Sequence, residues 1–188
     1  MRSIKRLGLM LVTVTAICAV AAASASAAPK FLAHPAGGLL ASAINNQVFT
    51  TAAGVVTCSA LKISNGKAAL ESTTIHVTIE YSTCEAFGLS ATVTPVLYLF
   101  HADGSVDLLN TVKINGGFGS CIATVLPKNG LKTVKFDNTP PDIRILGKVT
   151  GILSFGTGTC SYAHEGNGTY VGDSLVKLHG PGVVRWDP

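Results

Sequence analysis

The hydrophobic pattern is clearest in residues 74–84, where apolar and polar side chains alternate. The apolar positions are Ile75, Val77, Ile79 and Tyr81. Because successive side chains of a strand point to opposite faces, a period of two predicts a strand with one buried and one exposed face. Turn residues recur about every 8 to 12 positions, and we find no long segment of helical periodicity after the N-terminal region. The sequence therefore predicts an all-β fold, an antiparallel sandwich of about ten short strands, with a closed or partly open barrel as the alternative.

Residues 90–100 depart from simple alternation because both faces are apolar. Val93, Leu97 and Leu99 fall on one face; Val96, Tyr98 and Phe100 fall on the other. Such a strand is either buried on both sides or faces a ligand or a partner on one. Pro95 lacks a donor for the hydrogen-bond ladder, so we expect it at an edge or a bulge.

Two connections carry strong turn chemistry. Residues 64–67 contain Asn65-Gly66, a pair that favours a type I′ hairpin turn because both residues tolerate a positive φ. Residues 138–142 contain Pro140-Pro141, and the rigid segment is expected to cross between sheets. Glycines interrupt residues 143–155, which indicates bulges in a long strand.

The N-terminus has the layout of a secretory signal peptide. Basic residues precede an apolar run over residues 7–20, and small residues follow at 25–27. We expect residues 1–27 to be removed, and no transmembrane span to remain. Residues 28–46 are interpreted as an N-terminal extended segment, in which residues 39–44 could form a helical turn or simply lie over the core, and 47–188 as a single β domain.

Charge argues against a nucleic-acid partner. The chain has 14 Lys+Arg and 10 Asp+Glu, but Arg2, Lys5 and Arg6 lie in the expected signal, which leaves 11 basic residues against 10 acidic ones. The remaining charges are scattered, with no basic run or stripe. The expected location is secreted, either extracellular or at the cell envelope.

Four cysteines remain after the expected cleavage, at Cys58, Cys84, Cys121 and Cys160. An even number in an exported chain predicts two disulfides. Three pairings are possible, and we favour Cys58–Cys84 with Cys121–Cys160 because each pair then brackets a compact run of strands. The spacing typical of a zinc site is absent.

Candidate catalytic and metal-binding residues are few. His76 and Glu80 share the exposed face of one strand but lie about 13 Å apart, too far to share a metal ion. Asp103 and Asp107 flank a turn, yet two carboxylates fall short of the six to eight oxygen ligands of calcium. Exposed polar surface explains both pairs, and neither a metal nor a cofactor is predicted.

The last third of the chain contains the residue types of a catalytic triad. They are His164, Glu165, Asp173, Ser174 and His179. No Gly-x-Ser-x-Gly elbow precedes a serine, and a triad is defined by geometry rather than by composition. Hairpin polarity explains the same residues, so we expect no catalytic site.

The four cysteines stand in the segments Val55-Val56-Thr57-Cys58, Tyr81-Ser82-Thr83-Cys84, Gly119-Ser120-Cys121 and Gly156-Thr157-Gly158-Thr159-Cys160. These cysteine contexts resemble those of a family of small, secreted, β-rich, four-cysteine proteins of high-GC Gram-positive bacteria. The resemblance implies export and a β-rich fold. It implies no catalytic residues, since that family has no assigned activity.

The leading functional hypothesis is a non-catalytic extracellular or cell-envelope binding module, with an unknown ligand or surface partner. A secreted hydrolase and a structural or adhesive surface protein are the alternatives. If the strand at residues 90–100 lines a cavity, a small apolar ligand is expected.

Overall fold

The structure, a computed structural model, describes residues 27–117, 120–160 and 166–188. These residues form β-strands and one three-residue 3₁₀ helix, Gly158–Cys160. The strands are β1 (Lys30–His34), β2 (Gly37–Ala43), β3 (Gln47–Thr51), β4 (Gly54–Ala68), β5 (Glu71–Ser72), β6 (Thr74–Ala86), β7 (Leu89–Val93), β8 (Val96–His101), β9 (Val106–Leu108), β10 (Val112–Asn115), β11 (Ile122–Val125), β12 (Lys128–Leu131), β13 (Val134–Thr139), β14 (Asp142–Thr157), β15 (Gly166–Leu178) and β16 (Val183–Asp187).

The all-β prediction is confirmed, and the architecture is sandwich-like rather than a clean barrel. One layer contains β4, β6, β8 and β9 in hydrogen-bonded order, and the facing layer contains β2, β15, β14 and β13. All of these pairings are antiparallel. The layers are continuous at their sides, since β3 pairs with both β4 and β15. Strands β7, β10 and β11 connect β6 to β14 in the same way.

A separate three-stranded sheet, β16-β1-β5, packs against the sandwich. Its inward residues Phe31 and Val184 are buried in the common core. Trp186 anchors it, because the indole Nε1–H donates to the carbonyl of Ala102 at 2.8 Å and the ring packs against Phe136. This sheet therefore adds residues from both ends of the described chain to the core.

The N-terminal segment is more ordered than the sequence suggests. Residues 28–46 contain β1 and β2, and β2 pairs with β15 over five positions. The helical turn considered for residues 39–44 is wrong, because these residues lie mostly in β2. The proposed signal peptide lies outside the described residues apart from Ala27.

The hairpin predicted at residues 64–67 is also wrong. These residues continue β4 through a bulge, where the register against β6 shifts between Ile63 and Asn65. Neither Asn65 nor Gly66 adopts a positive φ. A Cβ on Gly66 would lie 2.9 Å from Val77, so this glycine permits a close approach rather than a turn.

Two further expectations change in the structure. Residues 90–100 form two strands, β7 and β8, separated at Pro95, which explains how the proline is tolerated. Residues 138–142 form a tight hairpin between β13 and β14, with Thr139 opposite Asp142, instead of a crossover. The bulge expected in residues 143–155 is present, where the register shifts around Gly151.

No helix within the described ranges is long and apolar enough to span a bilayer.

Candidate ligand-binding cavity

Two disulfides hold the strands around the core. Cys58 pairs with Cys84, opposite it in the β4–β6 ladder, and Cys121 pairs with Cys160. The Cα–Cα distances are 3.9 and 4.9 Å. These are the pairs that the sequence favours, and all four side chains are buried.

An apolar cavity of about 70 Å³ lies between the two layers of the sandwich. Its wall combines alternate residues of β4, β6 and β8 with alternate residues of β14 and β15, as strand periodicity requires. A second cavity of about 40 Å³ adjoins it, and the two share Tyr98, Val106, Val149 and Tyr170 as wall residues.

Aromatic rings form much of the wall of the larger cavity. They are Phe31, Tyr81, Tyr98, Phe100, Phe136 and Tyr170. Phe31 and Phe136 meet edge to face at 5.0 Å, and Tyr98 lies 5.7 Å from Phe100. Edge-to-face contact at this separation is a favourable packing geometry for aromatic rings.

The strand with two apolar faces contributes directly to this wall. Tyr98 and Phe100 of β8 point into the cavity, whereas Leu97 and Leu99 lie half-buried on the opposite face. Inward residues from the β6 strand lie beside them, since Val77 is opposite Tyr98 and Ile75 is opposite Phe100. The inner face of β8 is thus a cavity wall.

The tyrosine hydroxyl groups in the wall have partners. The Tyr81 and Tyr98 oxygens lie 3.2 Å apart, and the Tyr170 hydroxyl donates to Gln47 Oε1. Gln47 is fully buried, and its Nε2 donates to the carbonyls of Asn45 at 2.7 Å and Asp173 at 3.1 Å. This network satisfies polar groups that would otherwise be costly to bury.

Burial keeps these hydroxyl groups protonated. It raises the pKa of Tyr98 to about 12 and raises the pKa values of Tyr81 and Tyr170 as well. Desolvation disfavours the charged phenolate, and this is the largest cause in each case. The tyrosines are therefore neutral hydrogen-bonding groups at physiological pH.

Ser174 is the exception among the polar residues of the wall. It is only 9 % exposed and lines the larger cavity. Among the residues that the structure describes, Ser174 Oγ has no hydrogen-bond partner, whereas Ser154, also buried, accepts from the Ala52 N–H at 2.9 Å.

The triad considered from the sequence is not assembled by the described residues. Asp173 points away from the cavity and forms a two-pronged ion pair with Arg144, with Nε–Oδ1 at 2.9 Å and Nη2–Oδ2 at 2.6 Å. Ser174 lies on the opposite face of β15. His179 is exposed and lies five residues further along the chain, about 16 Å for an extended chain. His164 and Glu165 lie outside the described residues.

The other candidate residues pair with protein groups or lie exposed on the surface. The Asp107 side chain is mostly buried, lies 3.0 Å from His101 Nε2 and accepts from the Gly130 N–H at 2.6 Å. Glu80 binds Lys62 at 2.9 Å, and His76 is exposed. Asp103 accepts from the Ser105 N–H and hydroxyl, and these bonds lower its pKa. No group of three or more potential metal ligands occurs in the described part of the chain.

Sequence reasoning did not identify Gln47 or Tyr170 as members of a polar network. Gln47 begins a strand, and Tyr170 is one aromatic residue among several. Their partnership joins residues 123 positions apart, which no local pattern records. The sequence indicates Ser174 only as a possible nucleophile.

Comparisons with protein-family models, with curated proteins and with solved structures find no match to this chain.

Proposed function

We propose that this protein is an exported, non-catalytic binding module that takes up a small apolar ligand in the cavity between its two layers. The carrying observation is the cavity itself, walled by the inner face of β8 and bordered by no charged side chain among the described residues. Ligand sites are concave and mostly apolar, with few polar groups. The two disulfides support the proposed export, because they persist in oxidising compartments.

The size of the cavity limits the ligand. At about 70 Å³ it has about half the volume of an engineered apolar cavity of about 150 Å³ that binds benzene. The neighbouring cavity of about 40 Å³ shares Tyr98 and Tyr170 with it as wall residues. Both cavities together are smaller than that engineered cavity, so a single-ring molecule is the expected upper limit and its binding requires the wall to move.

Xenon and benzene uptake tests this proposal. Both should perturb the NMR signals of methyl groups in the wall, such as those of Val77 and Val176, and benzene should raise Tm through mass action. Native mass spectrometry of protein purified from its source under non-reducing conditions would then identify a natural ligand by mass.

Strand β2 offers a matched pair of variants. Ala41 lines the cavity, whereas Ala43, two residues along on the same face, packs against the core without lining it. Ala41→Val should weaken xenon and benzene binding, and Ala43→Val should leave it unchanged. Absence of uptake by the unmodified protein would refute the proposal. Ordered self-association without uptake would instead favour a structural or adhesive role.

A further inference from the structure

The cavity wall contains one serine hydroxyl that no described residue binds, that of Ser174. Ser174 lies on the inner face of β15 between Gly172 and Val176, which also line the cavity. It is nine-tenths buried, and no described residue hydrogen-bonds to its Oγ. No fully buried side-chain N or O atom of the described residues lacks a hydrogen-bond partner, so Ser174 Oγ keeps accessible surface, and the cavity is the space that this residue lines.

The other hydroxyl groups of the wall are occupied. Tyr81 and Tyr98 bond to each other, and Tyr170 donates to Gln47. Ser174 is therefore the polar wall residue that is left for a molecule inside the cavity. As a hydroxyl it can both donate and accept one hydrogen bond with such a molecule.

The other residues of the wall indicate the chemical class of that molecule. Six aromatic rings surround the space, and no charged side chain of the described residues reaches it. Rings pack well with rings in edge-to-face and offset arrangements. A charged guest would lose its hydration without gaining an ion pair, which excludes carboxylates and ammonium groups.

We propose that Ser174 Oγ is the polar anchor of the site and that the ligand is a neutral, single-ring aromatic compound with one hydroxyl group, of the phenol class. The inference rests on the proposed function, because it assigns the ligand class of the same cavity. Ser174 binds the hydroxyl, and the aromatic wall holds the ring. The serine acts as a specificity residue and takes part in no covalent step.

Calorimetric titration with benzene and phenol tests the anchor. The unmodified protein should bind phenol more tightly than benzene, by about fivefold, the effect of one net hydrogen bond. Ser174→Ala should lower the ratio of the benzene Kd to the phenol Kd by about fivefold or more, while benzene still binds. Its Tm should not fall, because no hydrogen bond within the described protein is lost.

Ser154→Ala is the control, since it also removes a buried serine hydroxyl. It breaks the bond to the Ala52 N–H and should lower Tm, yet leave the preference for phenol unchanged. Equal affinities for benzene and phenol in the unmodified protein, or an unchanged ratio in Ser174→Ala, would overturn the anchor and leave the binding module intact. Failure of xenon, benzene and phenol to bind would overturn both proposals.

Discussion

The buried amide of Gln47 offers the most direct test of how this core is held together. Gln47→Met keeps the length of the side chain and removes its three hydrogen bonds. Two of these run to the carbonyls of Asn45 and Asp173, and one comes from the Tyr170 hydroxyl. The Asp173 carbonyl retains the Ile44 N–H at 2.9 Å, so the Asn45 carbonyl and the Tyr170 hydroxyl are affected most.

The expected loss in the free energy of unfolding is about 3 kcal/mol, from three bonds that contribute about 1 kcal/mol each. For a domain of this size such a loss corresponds to a fall in Tm of about 6 to 12 °C. Urea titration followed by circular dichroism would measure it as a lower midpoint at an unchanged m value.

A double-mutant cycle with Tyr170→Phe shows whether the network causes the loss. Each single variant leaves a buried partner unpaired, whereas the double variant removes the Tyr170 hydroxyl and its acceptor together. The double variant should therefore be more stable than the sum of the single effects predicts, by about 1 kcal/mol. A loss below about 1 kcal/mol for Gln47→Met, or strict additivity, would refute the reasoning.

Two more predictions concern the ion pair and the second disulfide. Hydrogen bonds from Arg144 lower the pKa of Asp173 in the folded protein. The ion pair therefore stabilises the fold at pH values above the unfolded-state pKa of Asp, which is about 4. This stabilisation is lost as the pH falls through the lower pKa of the folded state. When the free energy of unfolding is measured against pH, Asp173→Asn should be less stable than the unmodified protein at pH 7 and should lose less stability below pH 4. Parallel stability curves for the two proteins would contradict this assignment. Replacing Cys121 and Cys160 by Ser removes a disulfide between residues 39 positions apart. The free energy of unfolding, measured by heat or urea, should fall by at most about 4 kcal/mol. An unchanged midpoint would show that the disulfide does not restrict the unfolded chain.

Local pattern succeeded where a strand has one buried face. The alternation in residues 74–84 predicted β6, and its inward residues Ile75, Val77 and Ile79 are buried as expected. The recurring turn residues and the absence of a long helical period likewise indicated the all-β class. Local pattern works here because the two-residue period and the burial of one face are both properties of the local chain.

Local pattern failed where a distant strand decides the conformation. Asn65-Gly66 favours a turn in isolation, but β6 supplies pairing partners that keep β4 extended through both residues. Residues 30–43 carry weak periodicity, yet β16 and β15 complete their ladders. Tertiary hydrogen bonds outweigh a local preference of this size.

The sequence by itself determined the all-β class, the number of disulfides and the apolar character of both faces at residues 90–100. Only the tertiary structure decided that Tyr98 and Phe100 border a cavity and that Tyr170 bonds to Gln47. It also decided that Asp173 pairs with Arg144 on one face of β15 while Ser174 lines the cavity on the other. The physical reason is that composition and periodicity record which side chains leave water. The contacts of each buried side chain depend on strands that are far apart in the chain, and the register of these strands is set by the whole sheet.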